Sequence, residues 1–293
     1  MQLIAYIIIY PILWLISILP FRLLYTLSDV ICFFLYRIFG YRKSIVKSNL
    51  RLVFPDKSEK EIKTITFKFY KHLCDLFLEM IKTLTISKTQ LNKRFVIKDL
   101  DAVKQLESYN TSIILMYGHY ASYEWSTVIQ TYTNLAGLGI YKKIANKYFD
   151  KLVRRIRSKY KTELIHSKKA LPKIAELNTI NDHRMIAFLS DQSPKYKSNN
   201  VWLDFMDIKI PCFVGAEVTA KKYNYPVGFL KIDKVKRGHY EADIVILSKN
   251  PSEEPNFKIT ERFNTLLEQQ IKAKPEFYLW THKRWKHKDK KPK

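Results

Sequence analysis

Residues 1–21 contain no charged side chain, and residues 3–19 are apolar apart from Ser17. A run of this kind forces the chain to find an apolar environment for one whole helix. At 1.5 Å per residue, about 20 helical residues match a hydrocarbon core of about 30 Å. Pro11 interrupts the run, which a helix in lipid tolerates better than one in water. A cleaved leader would carry basic residues ahead of its apolar stretch. Here Arg22, Arg37, Arg42 and Lys43 all follow it, so a retained membrane anchor is expected. The same basic residues place the body of the chain on the cytoplasmic face. A second apolar stretch, 23–36, is broken by Ser28 and Asp29 and predicts an interfacial helix. The competing reading is a buried first helix of a domain that touches no membrane.

The chain of 293 residues has 51 Lys+Arg against 27 Asp+Glu, a net charge of +24. That surplus concerns partners rather than fold. Nucleic acid, an anionic lipid surface and an acidic carrier protein would all suit it, and the apolar amino-terminal run favours the second and third. With 47% hydrophobic residues and only 7 Gly, disorder and collagen-like repeats are excluded. Cys32, Cys74 and Cys212 are scattered and imply a reducing compartment with no structural metal.

Between residues 40 and 280 there is no repeat or low-complexity linker. The expected division is an anchor with an interfacial helix (1–40), one catalytic domain (41–282) and a basic tail (283–293). Ser58-x-x-Glu61 has the form of a capping box opening a helix to about residue 85. Strands are expected at 112–117, 137–141, 163–166, 185–190, 227–232 and 240–247. Helices are expected at 122–132, 146–160, 168–177, 213–223 and 258–272. This alternation predicts an α/β fold, a central mixed sheet flanked by helices. After Trp280, seven basic residues stand against Asp289, which predicts a solvated or surface-binding arm.

The segment richest in chemistry is Tyr117-Gly118-His119-Tyr120-Ala121-Ser122-Tyr123-Glu124-Trp125. It follows an apolar strand, where α/β sheets place their ligands. Gly118 suits a tight turn. On a continuous helix, His119 and Glu124 would point about 140° apart, so they converge only if His119 lies in the turn before the helix. A carboxylate on one imidazole nitrogen fixes the tautomer and leaves the other as a base. The expected pair is therefore His119 as general base, oriented by Glu124. A strand-end histidine with an unrelated surface glutamate is the plainer alternative.

Five blocks together resemble the bacterial lipid A biosynthesis acyltransferases, the lauroyl/myristoyl transferase family. They are His119–Glu124 itself; Arg42-Lys43 through Asn49-Leu50 and Phe54-Pro55; Tyr141-Lys142-Lys143 with Asn146, Asp150 and Arg157-Ser158; Ser190-Asp191-Gln192 ahead of 201–205 and Pro211; and Tyr278-Leu279-Trp280-Thr281-His282-Lys283-Arg284-Trp285-Lys286. The resemblance covers nearly the whole chain. It implies a glycerolipid-acyltransferase-like fold and transfer of a fatty acyl group from acyl carrier protein or coenzyme A to a hydroxyl of an anionic glycolipid, at the inner membrane and without a cofactor or metal. It also implies that Arg157, Lys142, Asn146 and Asp191 bind substrate or stabilise charge. Lys142 and Lys143 stand where the family has Arg and Pro, and lysine lacks the planar bidentate fork. Residues 193–197 replace a glycine-rich stretch, so the acceptor could differ: another glycolipid, an aminolipid or a lysophospholipid.

From the residues alone, Arg157 reads first as a solvated helix charge, and Asp191 reads equally as a cap. Asp150, Arg154 and Arg157 share a helical face, which allows an ion pair that aims the arginine. His166, His183 and His239 read as structural, His282 as an interfacial anchor, and Cys212 as a small buried residue. A non-catalytic basic protein binding membrane is the remaining alternative; no nucleic-acid motif is present.

Overall fold

A computed structural model describes residues 2–290. Helices α1 (Gln2–Ile18) and α2 (Phe21–Phe33), the latter extended by one π turn, precede α3 (Lys43–Val53) and the long α4 (Glu59–Lys82). Then follow α5 (Lys88–Asn92), β1 (Phe95–Ile97), α6 (Leu100–Glu107), β2 (Ile113–Tyr117), a 3₁₀ helix (Trp125–Thr131), β3 (Ala136–Tyr141), α7 (Lys147–Arg157) and β4 (Thr162–His166). The remainder is α8 (Ala170–Thr179), β5 (Arg184–Leu189), β6 (Val201–Phe205), β7 (Ile208–Cys212), α9 (Gly215–Tyr223), β8 (Val227–Lys236), β9 (His239–Ser248) and α10 (Lys258–Ala273). The main sheet has seven strands in the order β1-β9-β8-β2-β5-β3-β4, and β6 and β7 form a separate hairpin. All main-sheet pairings are parallel except β8–β9. The mixed α/β sheet expected from the alternating pattern is therefore present.

Strand β2 is buried at every position, as a central strand covered on both faces must be. The capping box at Ser58 forms with both of its reciprocal bonds. The helix expected over 122–132 is instead a turn and a short 3₁₀ segment, which follows Ala121 at a left-handed φ of 48°. The basic arm expected beyond Trp280 is tied into the core as far as Trp285: Arg284 and Trp285 are buried. Among the described residues, no single helix is long and apolar enough to cross a membrane.

Helix α4 holds the layers together through charges buried in its middle. Glu79 is fully buried, and its two oxygens accept from the hydroxyls of Tyr25 on α2 (2.9 Å) and Tyr240 on β9 (2.8 Å). One turn earlier, Asp75 accepts from Ser28 on α2 (2.7 Å) and from Arg237 at the β8–β9 turn (2.6 Å). Gly238 closes that turn with φ +71°, and a Cβ there would lie 1.9 Å from the Tyr25 hydroxyl. Only glycine fits both constraints.

Burial pushes the Glu79 carboxyl up from 4.5 to about 7. Between those values the folded chain keeps a proton that the unfolded chain releases. This contribution to stability is complete below about 4.5 and is lost as pH rises through about 7. In Glu79→Gln the group cannot ionise. Thermal unfolding followed from pH 5 to pH 8 should therefore show the wild-type Tm falling relative to the variant; parallel curves would contradict a raised Glu79.

Candidate active site

Strands β2 and β5 are parallel neighbours, with Tyr117 paired to Leu189. Two residues beyond those partners lie His119 and Asp191, so sheet register brings them to the same place at the carboxyl edge. Neighbouring strands are about 4.8 Å apart, and the side chains close the gap: His119 Nδ1 lies 2.7 Å from an Asp191 oxygen. Asp191 is buried and His119 partly so. Burial pushes the Asp191 carboxyl up, but the charge and hydrogen bonds of His119 and the nearby Arg284 guanidinium outweigh it and hold it below the ordinary carboxylate range. Burial, and then the charge of the same carboxylate, push the Tyr278 hydroxyl well up. The other imidazole nitrogen, Nε2, has the Gln192 amide at 3.3 Å and borders a groove of about 710 Å³. That volume falls within the range of about 300–1,000 Å³ usual for ligand pockets.

The turn that presents His119 is fixed from the chain's other end. Leu279 N–H donates to the His119 carbonyl (3.1 Å), and Ala121 N–H donates to the Phe277 carbonyl (3.0 Å). Gly118 has a different reason from the expected tight turn. It lies outside the left-handed region, and a Cβ there would meet Leu267 of α10 at 2.7 Å.

The expected His119–Glu124 pairing is not the one that forms. Both Glu124 oxygens are held by Arg157, Nε to one at 2.9 Å and Nη2 to the other at 2.5 Å. Glu124 opens the 3₁₀ segment and reaches Arg157 on α7 from there. Burial works against the Arg157 charge and Glu124 more than restores it, leaving the guanidinium more firmly protonated than usual. Asp150 does not aim the arginine either. It accepts from Ile144 N–H (2.8 Å) and the Tyr141 hydroxyl (3.2 Å), bracing the β3–α7 loop. Asn146 caps α7, its oxygen accepting from the N–H groups of Tyr148 and Phe149. Lys142 is exposed on the groove wall.

His119, Glu124, Arg157 and Lys142 thus share one groove, with Asp191 behind the histidine. Beneath it, between β2, β3, β5 and the 3₁₀ segment, runs a narrow chamber of about 60 Å³ walled by Leu115, Ile129, Leu138, Leu164 and Met185. Tyr123, Glu124, Tyr141 and Arg157 border both spaces, so the ion pair stands at their junction.

Sequence reasoning missed what supports Asp191. His282, expected as an interfacial anchor, accepts at Nε2 from Ser193 N–H (3.2 Å). Burial lowers it to about 4, so it stays neutral and able to accept. Arg284 is 1% exposed and donates to the Pro211 carbonyl (2.8 Å) and the Cys212 sulfur (3.1 Å). The available signal was the density of aromatic residues around these two positions, which reads as core as readily as interface.

No curated protein matches the chain by sequence. The family model described as bacterial lipid A biosynthesis acyltransferase matches residues 2–287, nearly the whole chain. The chain belongs to the bacterial lipid A biosynthesis acyltransferase family and is an acyltransferase.

Proposed function

We propose that the protein moves a fatty acyl group from an acyl thioester, with acyl carrier protein as donor, onto a hydroxyl of a lipid A precursor at the cytoplasmic face of the inner membrane. The observation that carries the reading is the His119–Asp191 contact at Nδ1, which leaves Nε2 toward the groove. Asp191 holds the tautomer in which Nε2 is the free base. Nε2 takes the acceptor hydroxyl's proton as that oxygen attacks the thioester carbonyl. The tetrahedral adduct then collapses by breaking the C–S bond, and the imidazolium returns its proton to the departing thiolate.

Glu124 acts here through Arg157. A guanidinium held at two points by a buried carboxylate is fixed in direction, as a charge-stabilising group must be before the reaction begins. Lys142, at the rim, suits a phosphate as a point charge. Asn146 and Asp150 serve by fixing the loop and helix that carry Lys142 and Arg157. The same chemistry on another lipid acceptor is the second reading, favoured by Lys142 and Lys143 at positions where the family has Arg and Pro.

His119→Ala should lower turnover by about 10²–10⁴ if the imidazole is the base. Mass spectrometry of lipids from cells carrying wild type or His119→Ala should show lipid A lacking one acyl chain in the variant. Loss of an acyl group from another lipid would replace the acceptor, and an unchanged lipid profile would overturn the enzymatic reading.

Arg157→Met should destabilise the fold by about 3–5 kcal/mol, because it strands a buried carboxylate. Adding Glu124→Gln should recover much of the stability but none of the activity. Recovery of activity in the double variant would reduce the pair to a structural role.

A further inference from the structure

We propose that α1 lies flat in the surface of an anionic bilayer, docked on the catalytic domain along its length, and does not cross the bilayer. This rests on the reading of the protein as membrane-associated and adds the geometry of that association. The helix is tied down at both ends. Near its start, Tyr6 stacks on Tyr148 of α7 with ring centroids 5.6 Å apart and meets Phe149 edge-on at 5.7 Å. At its end, Lys82 Nζ donates to the carbonyls of Ser17 and Leu19, both at 2.8 Å, and the Thr85 hydroxyl also donates to Ser17. These bonds satisfy carbonyls that a helix terminus otherwise leaves to water.

The opposite face has no partner and no polar residue. Ile4, Ile8, Ile12 and Leu15 are 61%, 60%, 52% and 55% exposed. A continuous apolar face this long on a monomer calls for an apolar occupant. Charge selects a lipid surface. Lys147, Lys151, Arg154 and Arg155 on α7 are exposed, as is Arg22 in the first turn of α2. Basic residues beside an apolar helix face fit anionic headgroups above acyl chains.

Crossing is incompatible with this docking. Placing α1 along the bilayer normal would draw α7 and its four exposed cations into the hydrocarbon, where charge is costly. Lying flat avoids this. It also sets the groove at headgroup level, because α4 and α7, on which α1 rests, supply the groove residues Phe77, Met80, Val153 and Arg157.

Ile4, Ile8 and Leu15 test the geometry, since they lie on nearly the same helical face, Ile8 close to the middle of α1 and the other two toward its ends. Ile4→Trp, Ile8→Trp and Leu15→Trp, each in the full chain with Trp14→Phe and read against the Trp14→Phe parent, replace exposed apolar residues with another. Each is mixed with phosphatidylethanolamine–phosphatidylglycerol vesicles carrying bromines at graded acyl depths. Flat docking predicts the same shallow quenching depth for all three. Quenching of Ile8→Trp near the bilayer midplane, deeper than the other two, would overturn flat docking and leave membrane association standing. Failure to bind vesicles, or dimers that cover the face instead, would overturn both.

Discussion

Two carboxylates in the middle of α4 are the constraint on which the rest of the fold hangs. Removing Asp75 and Glu79 from water costs several kcal/mol each unless every oxygen is satisfied. They can be satisfied only if α2, the β8–β9 hairpin and α4 meet together: Tyr25 and Ser28 come from α2, Tyr240 from β9 and Arg237 from the turn. Apolar packing alone would let these layers slide, because it is non-directional. The same helix reaches the site through its backbone, since the Glu79 carbonyl accepts from Trp125 Nε1 at 3.0 Å, in the first turn after Glu124. The helix that receives the amino-terminal pair also fixes the segment that redirects Glu124 toward Arg157.

The regular elements were legible because their patterns are local. Strand β2 is a run of five buried residues, the Ser58–Glu61 box sets the start of α4, and α10 falls within a residue or two of its expected bounds. His119 was legible for the same reason, as a polar residue just past an apolar strand. Its partner was not. Asp191 is 72 residues away, and β5 lies beside β2 although β3 and β4 intervene in the chain. Sheet order leaves no mark in periodicity. Reasoning from spacing alone reaches for the nearest carboxylate, and Glu124 is that residue. Between His119 and Glu124 lies Ala121 in a left-handed conformation, which no propensity scale assigns to alanine.

The site divides along polarity. Above the Glu124–Arg157 pair lies the open groove with His119 and Lys142; below it lies the narrow apolar chamber. A buried ion pair adds little net stability compared with an apolar pair of the same shape. Its presence at this boundary is better explained by direction than by energy. Two bonds from one carboxylate hold the guanidinium plane, so it presents a fixed charge to the groove.

The closing segment shows how a basic, aromatic stretch becomes interior. Asn49 on α3 donates to the carbonyls of both Trp280 and His282 at 2.9 Å, and Arg42 donates to Thr281. Two distant sequence blocks, 42–55 and 278–286, are thus one structural clamp. Inside it, Arg284 is buried with a carbonyl, a thiol and the Ser193 hydroxyl as its hydrogen-bond acceptors. A cation without a bonded counter-ion is expensive to bury. The acid that feels its field is Asp191, which it helps keep ionised. Asp191 in turn can orient His119 only while ionised. The orientation of His119 in the groove therefore depends on residues more than 150 positions along the chain, whose placement depends on α3.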